Sequence, residues 1–215
     1  MEIKGENISF RYNIDSDWIL KDVNIFLKTN QIIGLMGSSG SGKSTLCKIL
    51  TGYINNYEGD VYLDGEKVNN NGFNPIQLVF QHPEKTINPK WKMNKALNES
   101  WNPPKELLDK FGIQQSWLNR WPNELSGGEL QRFAVIRALS PKTKFLIADE
   151  MTTMLDAVTQ VQIWQNVINI AKERKIGVLV VSHDKKLLNR LCRKAGRPTV
   201  TAPTPSPPPS PSRTA

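Results

Sequence analysis

The eight residues Gly37-Ser38-Ser39-Gly40-Ser41-Gly42-Lys43-Ser44 fit the pattern G-x-x-x-x-G-K-[ST] without a gap. The apolar run Ile32-Ile33-Gly34-Leu35-Met36 precedes them, and the amphipathic stretch Thr45-Leu46-Cys47-Lys48-Ile49-Leu50 follows. A buried strand, a glycine-rich loop and a helix start in that order build a cradle of inward-facing amides backed by the positive end of the helix. Such a cradle takes a chain of phosphates. Lys43 then reaches the β- and γ-phosphates, and the Ser44 hydroxyl is placed to bind Mg²⁺. An α/β architecture is the fold this feature demands.

A length of 215 residues suits one α/β domain with a sizeable core. No amino-terminal apolar run resembles a signal peptide, and no stretch is long and apolar enough to span a bilayer. The two cysteines, Cys47 and Cys192, lie far apart without metal-ligand companions and point to a reducing cytoplasm. Cys47 reads as a buried thiol. The formal charge of +8 is not a nucleic-acid signal. No acid follows Asp184, whereas Lys185, Lys186, Arg190, Arg193, Lys194, Arg197 and Arg213 do, so the preceding chain is nearly balanced.

Glu2 to Phe10 and Trp18 to Phe26 read as strands joined by a polar turn. Gly59 to Gly65 alternates and ends at a D-G turn, as a hairpin strand does. Ile76 to Phe80 is a further strand that ends where Gln81 begins a loop. From about His82 to Leu139, prolines punctuate short helical pieces, which marks a helical insert. Phe145-Leu146-Ile147-Ala148 and Val178-Leu179-Val180-Val181 are continuously apolar and suit central parallel strands. Between them Val161, Trp164, Ile168 and Ala171 recur at helical spacing. The segment 194–215, rich in Pro, Ser and Thr, is expected to be disordered or extended.

Asp149 and Glu150 come directly after one buried strand, and Ser182-His183-Asp184 after the next. Ligand crevices of parallel α/β sheets lie at the carboxyl ends of the strands. Asp149 is therefore expected to approach Ser44 and hold Mg²⁺, directly or through water. Glu150 is expected to orient or deprotonate an attacking water, and His183 to hydrogen-bond the γ-phosphate or fix that water. Adjacent carboxylates at a strand end sometimes only cap a helix. A phosphate loop beside them points to hydrolysis. His82 lacks such support and reads as an incidental loop residue. In Leu125-Ser126-Gly127-Gly128-Glu129, Ser126 resembles a helix N-cap with exposed amides, a second anion site.

Taken in order, these segments resemble the nucleotide-binding subunit of ATP-binding-cassette (ABC) transporters over roughly residues 1–193. The resemblance implies a P-loop NTPase fold, α/β in class, with an antiparallel β subdomain and a helical subdomain at about residues 82–139. It implies Mg²⁺-dependent ATP hydrolysis with Lys43, Gln81, Glu150 and His183 as catalytic residues. Gly37, Ser38, Ser39, Gly40, Ser41, Gly42, Lys43, Ser44 and Thr45 would bind the nucleotide, with Tyr12 stacked on adenine. Ser44, Gln81 and Asp149 would serve the metal. Ser126, Gly127, Gly128 and Asp156 would act across an interface between two cassettes closed head to tail around ATP. The implied partners are a second nucleotide-binding subunit, transmembrane permease subunits and, indirectly, an extracytoplasmic solute-binding protein. The implied place is the cytoplasmic face of the cell membrane.

Phe80-Gln81-His82-Pro83 with Ile87-Asn88-Pro89 is similar to the importers of dipeptides, oligopeptides and nickel. Thr152-Thr153-Met154-Leu155-Asp156 leans toward the nickel or metal-chelate branch. Two departures stand out. Met151-Thr152 replaces the usual proline after the glutamate, and the late strands of the family give way to Arg193-Lys194-Ala195-Gly196 and the proline-rich tail, which leaves a sheet edge open. A soluble ABC ATPase of DNA repair or translation is the rival reading, but tandem cassettes and a long coiled-coil insertion are lacking. Trp91, Trp101, Trp117 and Trp121 crowd the helical insert, either as anchors for a partner subunit or as core.

Overall fold

A computed structural model describes residues 1–68, 72–193 and 199–201. Two sheets carry the chain. The first is antiparallel, with β1 (Glu2–Phe10), β2 (Leu20–Lys28), β4 (Glu58–Leu63) and β5 (Glu66–Lys67) in the order β2-β1-β4-β5. The second is parallel, with β3 (Ile32–Met36), β6 (Ile76–Val79), β7 (Phe145–Asp149), β8 (Gly177–Val181) and β9 (Thr199–Thr201) in the order β6-β7-β8-β3-β9.

The period-2 alternation of the parallel strands divides the core in two. Ile33, Leu35, Phe145, Ile147, Leu179 and Val181 face the antiparallel sheet. Leu46, Cys47, Ile49 and Leu50 of α1 (Lys43–Leu50) pack into the same layer, sandwiched between the two sheets. Ile32, Leu146, Ala148, Val178 and Val180 point the other way. They meet α4 (Gly127–Ala138), α5 (Ala157–Glu173) and α6 (Lys185–Arg193) through Val135, Ile136, Ile163, Val167 and Leu188. Both faces of the central strands are covered, which explains why they read as unbroken apolar runs.

Residues 82–139 form the helical part, with α2 (Met93–Asn98), α3 (Lys105–Lys110) and α4 linked by 3₁₀ turns. Met93, Leu97, Leu107, Phe111, Trp117 and Phe133 fill its interior. Among the insert's tryptophans, Trp117 is core, Trp101 donates its indole N–H to the Ile136 carbonyl at 3.1 Å, and Trp121 stands 41% exposed. No helix among the described residues is long and apolar enough to cross a membrane.

Two differences from the sequence expectations concern strands. β2 begins at Leu20 rather than Trp18, because Trp18 leaves the sheet to lie under the Arg11 guanidinium, 4.5 Å from the ring centre. Thr199–Thr201 pairs in parallel with Gly34, Leu35 and Met36. A strand therefore covers the β3 edge that the loss of the late family strands was expected to leave open. The remaining residues of the proline-rich segment, 194–198 and 202–215, lie outside the described residues.

Candidate active site

Strand register assembles the site. Leu35 and Asp149 both pair with Val181, and Val79 pairs with Ala148. The strands run parallel, so the segments after Met36, Val79, Asp149 and Val181 all emerge on one rim. That rim receives Gly37 to Ser44 after β3, Gln81 after β6, Glu150 after β7 and His183 after β8.

Lys43 opens α1 with its ammonium turned back into the loop, donating to the Gly37 carbonyl at 2.9 Å and the Ser38 carbonyl at 2.7 Å. It is only 5% exposed. The Ser41 hydroxyl is buried without a hydrogen-bond partner among the described residues. Gly42 caps the helix at φ +81, a left-handed conformation. A Cβ there would stand 2.8 Å from the Ile19 carbonyl oxygen and 2.7 Å from Leu20. The start of β2 therefore leans directly on the phosphate loop. Gly42→Ala is expected to destabilise the chain by about 2–4 kcal/mol, from left-handed strain plus a backbone collision. Urea denaturation of the purified variant reads this as a lower midpoint at unchanged slope.

Asp149 is 5% exposed, and the nearby Ser44 hydroxyl favours its charged form. The Asp149 Oδ1 is buried with no hydrogen-bond partner among the described residues. Burial, with Glu150 adding like charge, raises its pKa above the ordinary carboxylate value, and the Ser44 hydroxyl and Lys43 pull the other way. A bare buried carboxylate oxygen next to a serine hydroxyl is an electrostatic deficit that a divalent cation corrects. Ser44, Asp149 and phosphate oxygens fit Mg²⁺, which takes few protein ligands and leans on substrate phosphates. Among the described residues no group of three or more His, Cys, Asp and Glu could hold a metal without such help.

Glu150 sits at φ +48, beyond the end of β7. Its Oε1 lies 3.1 Å from His183 Nδ1. An ionised carboxylate only accepts, so Nδ1 carries the proton and donates, leaving Nε2 free for a ligand. The Gln81 amide donates to the Thr153 hydroxyl at 3.1 Å, and that hydroxyl donates to the Glu150 carbonyl at 2.9 Å. Gln81 thus reaches the Glu150 turn through Thr153. The sequence marks Thr153 only as part of the Thr152 to Asp156 run and gives it no chemical role, because that role depends on a loop 72 positions away. The His82 ring pairs with its neighbour Glu84.

Ser126 caps α4. Its hydroxyl accepts from the Glu129 N–H, and the Glu129 carboxylate accepts from the Ser126 N–H. Asp156 caps α5, accepting from the Val158 and Thr159 N–H groups. Ser126, Gly128, Asp156 and Thr159 line a single shallow cleft that includes no residue of the phosphate loop. Within one chain, Lys43, Ser44, Asp149, Glu150, His183 and Gln81 share the rim at the strand ends, and the cleft lined by Ser126 and Asp156 includes none of them. Tyr12 is 66% exposed, its ring edge-on to Phe10 and its cleft shared with Arg11, Trp18 and Tyr57. Cys47 is buried and its thiol pKa is pushed well up by that burial, as a structural cysteine requires.

Residues 20–153 match the ABC transporter family. The nickel import system ATP-binding protein NikE of Staphylococcus aureus is 34% identical, the match covering 89% of this chain and 84% of NikE. A dimeric post-hydrolysis structure of the ATP-binding cassette MJ0796 with ADP and Pi superimposes with a TM-score of 0.74 at 27% identity, covering 87% of this chain and 90% of that one. A second dimeric structure of MJ0796, described as a bacterial ABC transporter cassette, gives the same TM-score at 28% identity. The phosphate loop, the paired strand ends and these likenesses agree: the chain belongs to the ABC transporter family and is an ATPase with the ABC cassette fold.

Proposed function

We propose that this chain is the energising subunit of an import system for nickel or a nickel chelate, hydrolysing ATP with Mg²⁺ while paired with a second cassette. The single observation that carries the reaction is the rim on which a bare buried Asp149 oxygen, the Glu150–His183 pair and the Lys43 loop converge. In this reading the residues 37–45 enclose the phosphates of ATP, and Lys43 exchanges its two loop carbonyls for phosphate oxygens. Ser44 and Asp149 would hold Mg²⁺, which would supply charge neutralisation on the phosphates. Glu150, held in place by His183 Nδ1–H, accepts the proton of the attacking water. Tyr12 stacks on the adenine.

The separate cleft of Ser126, Gly128 and Asp156 supports the pairing. A second helix start whose cleft includes no phosphate-loop residue of its own chain suits a phosphate brought by a partner. MJ0796 is itself dimeric in the structures similar to this chain. Nickel is favoured over peptides by the likeness to NikE. In this reading the permease subunits hold the cassette at the cytoplasmic face of the membrane.

The test reconstitutes the subunit in liposomes with permease subunits of a nickel import system and follows nickel entry. ATP-dependent uptake that stops with a Lys43→Ala cassette is the expected outcome. Uptake of a dipeptide but not of nickel overturns the cargo, and tight assembly without any ATP-driven uptake overturns the transport role.

A further inference from the structure

The Glu150 backbone is held in a conformation that a glutamate does not choose. A left-handed φ of +48 costs an L-residue about 1–2 kcal/mol, so its surroundings must impose it. Three hydrogen bonds do so. The Glu150 N–H donates to the Val181 carbonyl at 3.0 Å, and the Glu150 carbonyl accepts from both the Thr153 N–H at 3.2 Å and the Thr153 hydroxyl at 2.9 Å. The hydroxyl is the shortest of the three ties. The same oxygen accepts the Gln81 amide at 3.1 Å. Gln81 is anchored on its other side too, because the adjoining Phe80 carbonyl accepts from Gln131 Nε2 of α4 at 3.2 Å. Gln131 is 1% exposed, so this anchor is rigid.

We propose that Thr153 is a positioning residue for hydrolysis. Its hydroxyl fixes the Glu150 carbonyl by donating and holds the Gln81 side chain by accepting, so one atom ties the base to the loop that follows β6. This inference rests on the reading of Glu150 as the proton acceptor for water. Both halves of the role need a hydroxyl. Serine supplies it, and valine, of the same shape, does not. Thr153 is exposed and touches neither core layer, so removing the hydroxyl opens no cavity. With the tie gone, Glu150 samples other backbone conformations and Gln81 swings free, while the phosphate loop is untouched.

The experiment compares wild type, Thr153→Val and Thr153→Ser by steady-state ATP hydrolysis and thermal denaturation. Thr153→Val is expected to lower kcat about fivefold to tenfold with KM for ATP within about twofold, the loss of one aligned hydrogen bond acting on chemistry rather than binding. Thr153→Ser is expected to recover kcat to within about twofold of wild type. Melting temperatures stay together, which separates positioning from folding. Equal kcat for wild type and Thr153→Val overturns the proposal, as does Thr153→Ser falling as far as Thr153→Val. Those results leave the reading of Glu150 intact. A Glu150→Gln chain hydrolysing as fast as wild type removes that reading and this inference together.

Discussion

Glu150→Gln is expected to slow ATP hydrolysis by about 10²–10³-fold while ATP binding stays within about twofold of wild type. The glutamine keeps the volume and an acceptor oxygen for His183 Nδ1–H, so the contact at 3.1 Å survives. What disappears is the capacity to take a proton. The loss falls on kcat alone, because Lys43, Ser44 and the loop amides that hold the phosphates are unaltered. Phosphate release measured beside equilibrium nucleotide binding separates the two. A parallel fall in binding would mean that Glu150 supports the cradle rather than the chemistry.

Asp149→Asn is expected to have opposite effects on the nucleotide-free fold and on the reaction. Burial raises the native pKa of Asp149, so the native state holds its proton more tightly than the unfolded chain does. Stability is then greatest when the carboxyl is protonated. It declines as pH rises from the unfolded value toward the native one, and the full penalty persists at neutral pH. Asparagine carries no charge to desolvate, so the variant is expected to melt about 2–4 °C higher than wild type at pH 7, with the difference vanishing below the ordinary carboxylate range. It loses the anionic oxygen that would hold Mg²⁺, and hydrolysis with it. Calorimetry at pH 7 and at acid pH with a parallel activity assay checks both effects. A variant that melts lower at neutral pH would show that Asp149 is already compensated in the nucleotide-free chain.

Much of this was legible in the residues. Apolar runs located β3, β7 and β8, because strands covered on both faces need no polar alternation. The carboxylates and histidine at their ends then fell on the correct rim, since parallel strands share a carboxyl end. Ser126 read correctly as a helix cap because capping is local, with the partner three residues away. What escaped the sequence was long-range. Trp18 heads a segment that reads as a strand, but it lies under the Arg11 guanidinium instead of in the sheet. Val200 and its threonines lie among prolines that mask a three-residue strand, whose pairing is supplied by β3. Thr153 is one hydroxyl in a polar turn, and only the distant Gln81 gives it meaning. In each case a contact between remote segments outweighed the local pattern.

If one triphosphate is held by Lys43 of one chain and the Ser126 helix start of another, nucleotide is what joins the pair. Sedimentation of the Glu150→Gln chain with and without Mg²⁺-ATP reads this. A monomer is expected without nucleotide, a dimer with it, and no dimer when Ser126→Arg is added to the same chain. A monomer at saturating Mg²⁺-ATP, or a dimer indifferent to Ser126→Arg, would contradict that pairing.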